Sequence, residues 1–204
     1  MTDIFRVYTA YSVLLDILKG RGFDVSEYEG FSKTQVAGMI ASNQMDLLLK
    51  SSNKNVYVRY ELERAPDLLK LADQFFEPFD ETPPVLAHED DLIVVSKDGA
   101  NESKTEILND LWENRKLYIS IFSLADLQFN KFKAALVPAK IEILNEDELR
   151  EFKAKYYILD LYQLPAISRY DPIASLLGVR PMQVCKFQRD SVAALTLDFY
   201  RVCI

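Results

Sequence analysis

Apolar residues at Ile4, Val7, Tyr8, Tyr11, Leu14, Leu15 and Leu18 recur at helical spacing, and such a stripe predicts an amphipathic helix. Thr2 or Asp3 can cap its start, and Gly20 or Gly22 can end it. The stretch from Phe31 to Leu49 reads as partly helical, with Val36, Met39 and Ile40 on one face. Val56, Val58, Tyr60 and Leu62 then alternate with Tyr57, Arg59 and Glu61, the period of a half-buried strand. Ala65-Pro66-Asp67 opens a helix that runs to about Phe76, with proline near the first turn. Leu92-Ile93-Val94-Val95 is a short unbroken apolar run, which suits a central strand covered on both faces. Ser103 followed by Glu106 has the form of a capping box and predicts a helix to about Asn114. Leu117 to Phe122 is the next strand. Strand, helix and strand joined by short links predict a parallel or mixed α/β unit.

The texture changes near Phe129 to Val137. Asn145 and Glu148 form a second capping box, opening a helix that ends near Tyr157. Asp171 can cap a third helix with Pro172 at its first position, and Gly178 follows its end. Val184 to Phe187 and Leu195 to Val202 read as strands. The fold class expected is α+β overall: an N-terminal α/β domain with a helix-flanked sheet, residues 1–134, and a small C-terminal α+β domain with a mixed sheet, residues 135–204.

Charge divides along the same line. From Leu136 onward there are nine Lys/Arg and nine Asp/Glu, so residues 1–135 carry the whole formal charge of −7. A neutral C-terminal stretch is easier to bury against a partner. An acidic N-terminal stretch disfavours autonomous nucleic-acid binding, which needs net phosphate neutralisation. Several chemistries are excluded. His88 is the one histidine, so multi-histidine metal sites are impossible. Cys185 and Cys203 lack CxxC spacing, which argues against a disulfide scaffold or a cysteine-rich zinc site. Gly20-Arg21-Gly22 lacks a third glycine, and no Walker A loop exists. His88 lies in an acidic, proline-rich stretch and is expected to be solvated, as are the Asp90-Asp91 and Glu146-Asp147 pairs. No run approaches a membrane span, and Asp3 and Asp16 interrupt any signal-peptide layout. The expectation is an intracellular, non-membrane chain without a metal site of its own.

From Leu136 onward the order and spacing of short motifs are specific. They are Leu136-Val137-Pro138, the acidic helix at Asn145–Phe152, and Gln163-Leu164-Pro165-Ala166-Ile167. Asp171-Pro172-Ile173-Ala174 and Leu177-Gly178-Val179-Arg180 follow, and Val184-Cys185-Lys186-Phe187 and Tyr200-Arg201-Val202 close the series. Together they resemble the fifth, or jaw, subunit shared by eukaryotic RNA polymerases I, II and III, and its archaeal counterpart. Phe5-Arg6, Leu14 through Phe23, and Leu92–Val95 extend the resemblance thinly toward the N-terminus. The archaeal counterpart lacks an N-terminal domain, so the length is similar to the eukaryotic type. The resemblance departs at two family glycines, where Met182 and the Ala194-Leu195 pair stand. Glycine often supplies positive φ, so these turns should differ or carry strain. It departs again at the loop after Val95, where Ala100-Asn101-Glu102-Ser103 replaces a proline-bearing sequence and Lys104 alone follows the pattern. Such losses suggest a fast-diverging copy, such as one encoded by a large DNA virus.

The resemblance implies a non-catalytic subunit of DNA-directed RNA polymerase. Its C-terminal domain would dock on the largest subunit through Leu136, Val137, Pro138, Leu164, Pro165, Asp171, Pro172 and Arg201. Its N-terminal domain would form part of a lower jaw beside downstream duplex DNA, with Lys97 and Lys104 nearest and any contact made to phosphates. The implied partners are the largest and other polymerase subunits, initiation or regulatory factors, and downstream DNA, with no membrane and no homo-oligomer. No cofactor is expected in this subunit, since the holoenzyme's magnesium and zinc lie in other subunits. The compartment would be the nucleus for a cellular protein, or host cytoplasm and virion for a cytoplasmic DNA virus. Two alternatives remain. One is a free adaptor on the same fold. The other is a metal-dependent nuclease, for which Glu102-Ser103-Lys104 has the right three-residue form but precedes a helix instead of sitting mid-strand.

Overall fold

The computed structural model describes residues 3–52, 54–78, 83–135, 137–138, 140–191 and 194–204. Thr2 and Leu136 lie outside them. Two compact units result, Met1–Asn130 and Lys131–Ile204.

In the first unit, α1 (Ile4–Gly20) buries Val7, Tyr11, Leu14, Leu15 and Leu18 and leaves Ile4 exposed. Asp3 supplies the cap, accepting from Phe5 N at 3.0 Å. Helix α2 (Lys33–Ala41) is shorter than the apolar pattern suggested, and only Val36 of it is buried. A reciprocal capping box between Ser32 and Gln35 starts it. The chain then forms a strand, β1 (Leu47–Lys50), antiparallel to β2 (Asn55–Glu61). Helix α3 (Leu68–Phe76) begins after Asp67, whose side chain accepts from Lys70 N, so Pro66 lies just outside the helix. β3 (Asp91–Ser96), α4 (Glu102–Arg115) and β4 (Tyr118–Ser123) complete the unit. The sheet order is β1-β2-β3-β4, with β2, β3 and β4 parallel. All six residues of β3 are buried, which accounts for its unbroken apolar run.

Two expectations are corrected here. Asn101 caps α4, accepting from Lys104 N at 3.0 Å, and Ser103 lies inside the helix. The asparagine wins because it precedes the first helical residue, where an acceptor meets the orphan amides of the first turn. The Asp90-Asp91 pair is buried, not solvated. Asp91 binds Arg21 at 2.7 Å and Lys54 at 2.6 Å, tying the end of α1 and the β1–β2 turn to the start of β3. Asp90 accepts from Asn55 N at 2.7 Å and Ala87 N at 2.9 Å. Buried carboxylates persist when paired and hydrogen-bonded in this way. His88 and the Glu146-Asp147 pair are exposed, as expected.

The second unit contains β5 (Lys140–Ile143), α5 (Glu146–Tyr156), β6 (Ala166–Ile167), α6 (Pro172–Leu177), β7 (Val184–Ser191) and β8 (Leu195–Cys203). Its mixed sheet has the order β5-β7-β8-β6. Asn145 and Glu148 form the reciprocal capping box of α5. Val184 and Val202 pack with Leu161, Leu149 and Leu164 on one face of the sheet. Cys185 and Cys203 pack with Ala174 and Val179 on the other. Burial of these thiols pushes Cys185 up to about 12 and Cys203 up to about 11.

Candidate docking site on the C-terminal unit

Helix α6 is short, so its ends carry much of its definition. Asp171 accepts from Ile173 N at 2.9 Å and Ala174 N at 3.3 Å. Pro172 stands at the first position, where a missing N–H costs nothing. Gly178 closes the helix in the left-handed region at φ +75°. The cap therefore fixes Asp171 at the mouth of a groove of about 380 Å³, where Val137, Pro138 and Ile173 meet the sheet. The sheet contributes Phe187 and Arg189 from β7 and Phe199 and Arg201 from β8. Arg189 lies over the Phe199 ring at 5.6 Å, an arrangement that holds the guanidinium close to the apolar floor.

A second groove of about 480 Å³ lies against β8 on the α5 side of the sheet. Phe152 and Tyr156 of α5 and Tyr200 of β8 form its aromatic wall, with Phe152 and Tyr200 ring centroids 4.2 Å apart. Leu164 and Pro165 line its other side. Lys186 binds Asp198 at 3.0 Å. The ammonium hydrogen bond holds the Asp198 carboxyl below its usual range, and the Lys186 ammonium is raised reciprocally. A second ammonium, that of Lys155, lies over the Tyr156 ring at 5.2 Å. Around this face, Tyr157 is 88% exposed at φ +53°, Leu159 is 90% exposed and Tyr162 is 70% exposed.

Of the residues expected to bind a partner, Val137, Pro138, Asp171 and Arg201 come together in the first groove, and Leu164, Pro165 and Arg201 in the second. Pro172 is exposed at the helix start and lines neither. Leu136 lies outside the described residues. Phe187, Arg189, Leu197 and Phe199 were missed. Their alternation was legible, but a strand pattern alone does not say which face is left uncovered.

In the first unit, Lys97 and Lys104 line a small recess of about 80 Å³ with Arg64, Asp98 and Glu63. Lys97 is exposed. Lys104 Nζ donates to Gly99 O at 3.1 Å, so its ammonium helps shape the loop at the carboxyl end of β3. Glu102 opens α4 instead of sitting mid-strand. Among the described residues, no group of three or more His, Cys, Asp or Glu side chains could hold a metal.

Comparison with known proteins falls on the groove-bearing unit. The family described as "RNA polymerase Rpb5, C-terminal domain" matches residues 129–203. "DNA-directed RNA polymerase subunit Rpo5" of Methanosarcina mazei is 38% identical over 65 residues, 32% of this chain and 82% of the relative. The Thermococcus celer subunit of that name is 35% identical over 77 residues, 38% of this chain and 92% of the relative. The chain belongs to the RNA polymerase Rpb5 family. "DNA-directed RNA polymerases I, II, and III subunit RPABC1" of Caenorhabditis elegans is 31% identical over 112 residues, 55% of this chain and 51% of that protein. The chain thus spans about half the length of this eukaryotic relative.

The Rpb5-family stretch contains both grooves, both buried thiols and the turns at Met182 and Leu195. Met182 sits at φ +71° and Leu195 at φ +59°. The backbone keeps a left-handed conformation at each place and the side chain bears the strain.

Proposed function

We propose that the chain is a non-catalytic subunit of a multisubunit DNA-directed RNA polymerase. Its C-terminal unit docks on the largest subunit, and its N-terminal unit forms part of a lower jaw near downstream duplex DNA. One observation carries the docking reading: the stretch matched to the Rpb5 family is also the stretch whose surface holds two grooves rimmed by exposed aromatic and aliphatic side chains. Aromatic anchors beside arginine, in a patch of low net charge, are the composition of an interface core. The role is mechanical. Nucleotidyl transfer and its magnesium belong to other subunits, and this chain supplies an anchor, a surface beside DNA, and a platform for initiation or regulatory factors.

The jaw reading rests on the Lys97–Lys104 loop. Residues 1–135 carry the full formal charge of −7, so contact with phosphates would be imposed by assembly, not by free affinity. A photo-crosslinker at Lys97 in a transcribing complex should label downstream DNA, and labelling confined to protein would refute that placement. The docking reading is tested with Arg201→Glu, which reverses the charge between the grooves. Recovery of the largest subunit should fall roughly tenfold, the size expected when one interface anchor is lost. Recovery equal to wild type would remove Arg201 from the interface.

A further inference from the structure

We infer that the outer edge of β8 receives an extended segment of the partner polymerase subunit as an added strand; this rests on the docking reading above. The edge is open over most of its length. β7 pairs with β8 from Leu195 to Val202, whereas β6 covers the other side only at Val202 and Cys203. The direction of the backbone groups follows from two hydrogen bonds. Val202 N–H donates to Pro165 O at 3.0 Å, on the β6 side, and Cys203 N–H donates to Gln183 O at 2.9 Å, on the β7 side. Backbone groups alternate along a strand. The N–H and C=O of Asp198 and Tyr200 therefore point outward, as those of Val202 do. Among the described residues they have no partner. Thr196 differs, because its N–H turns back to Ala194 O at 2.6 Å. The side chains along this edge are exposed too, with Leu195 at 86%, Leu197 at 46% and Phe199 at 42%. An unpaired edge of this length and polarity is a template for strand addition.

The grooves supply the rest of the site. Successive side chains of a strand point to opposite faces. A segment laid along β8 therefore sends one set toward the aromatic wall of Phe152, Tyr156 and Tyr200. It sends the other set toward Phe199, Arg189 and Arg201, and those last two residues decide the chemistry. On the aromatic face Lys186 is paired with Asp198, and the Lys155 ammonium lies over the Tyr156 ring at 5.2 Å. On the opposite face two guanidinium groups, Arg189 over the Phe199 ring and Arg201 donating to Ala166 O at 3.1 Å, share the groove lining with one carboxylate among the described lining residues, Asp171, which is held by its own helix cap. The segment that fits is apolar or aromatic at one parity and carries a carboxylate at the other. Pro165, which has no N–H, limits how far it can run before β6 takes over the pairing. A second copy of the chain would bring its own arginines to the same face, so like charge opposes it.

Hydrogen exchange reads this directly on the unaltered protein. It would be measured by mass spectrometry for the free chain and for the same chain in the polymerase purified from its native source. In the free chain the Asp198 and Tyr200 amides should exchange as open amides. In the assembly they should slow roughly a hundredfold or more, since protection follows pairing. Asp198→Pro deletes one outward N–H without touching the β7 ladder, and edge strands tolerate proline. It should reduce recovery of the largest subunit further than Asp198→Asn, which loses the same carboxylate but keeps the N–H, and equal recovery of the two variants would overturn the added strand. An assembled polymerase in which these amides exchange as in the free chain overturns the added strand and leaves the docking reading standing. Failure of any polymerase subunit to accompany the chain overturns both. Protection that appears in the free chain and grows with its concentration assigns the edge to a second copy and overturns the inference.

Discussion

Met182 and Leu195 show what a single side chain can cost. Both occupy the left-handed region, at φ +71° and +59°, where a side chain meets the following carbonyl at a cost of roughly 1–2 kcal/mol. Glycine at either position would remove that strain, and its extra freedom in the unfolded chain costs roughly 0.5–1 kcal/mol. The strain term is larger, so Met182→Gly and Leu195→Gly should each stabilise by about 0.5–1 kcal/mol. Urea denaturation monitored by circular dichroism measures this, and a loss of stability in both variants would show that the side chains make compensating contacts. Titration is the other residue-scale effect. Cys185 is raised to about 12 and Cys203 to about 11 by burial, while a free thiol titrates near 9.0. Above about pH 9 the unfolded chain therefore loses thiol protons that the native chain keeps, and stability falls as pH rises. Tyr11 and Tyr57, raised to about 12 by burial, act in the same direction above their usual 10.0. The urea midpoint should be level from about pH 7 to 8.5 and drop between about pH 9 and 11. A midpoint unchanged at about pH 11 would contradict the burial of these groups.

Among the elements, those with their own chemistry were legible in the sequence. α1, α5 and α6 follow from apolar period plus caps, and β3 from an apolar run that only a doubly covered strand can bury. β1, β5 and β6 were not legible. Each is two to four residues long and is a strand because a neighbour pairs with it, a non-local cause that leaves little trace in a local window. The cap of α4 was misplaced by two residues because Ser103–Glu106 imitates the capping-box spacing that Asn101 makes unnecessary. Asn101→Ala should therefore cost about 1 kcal/mol, while Ser103→Ala should lie within roughly 0.5 kcal/mol of wild type. The reverse order would restore the serine cap. Asp91 was misjudged for a related reason, since its partners Arg21 and Lys54 are distant in sequence. Asp91→Asn leaves the buried Arg21 guanidinium without its counter-charge and should destabilise by roughly 3 kcal/mol or more. Thermal unfolding checks this, and a shift under about 1 kcal/mol would mean that water substitutes for the ion pair.

At the scale of the whole molecule, charge and chemistry divide between the units. Residues 1–135 hold all the net charge, and the neutral remainder holds both grooves and nearly all of the Rpb5-family match. Motif spacing exposed the family and named Val137, Pro138, Asp171, Leu164, Pro165 and Arg201, which line the grooves. It could not name Phe199 or Arg189, because which face of β7 and β8 stays bare depends on how far α5 and α6 extend over the sheet. The central claim, a subunit held in a polymerase by its C-terminal unit, is tested most directly by purifying the tagged full chain from its native source. The companions would be quantified at moderate and at high salt. The account predicts the two largest polymerase subunits in near one-to-one amounts, retained at high salt because the contact is apolar and aromatic at its centre. Recovery of the chain without polymerase subunits at either salt would contradict it.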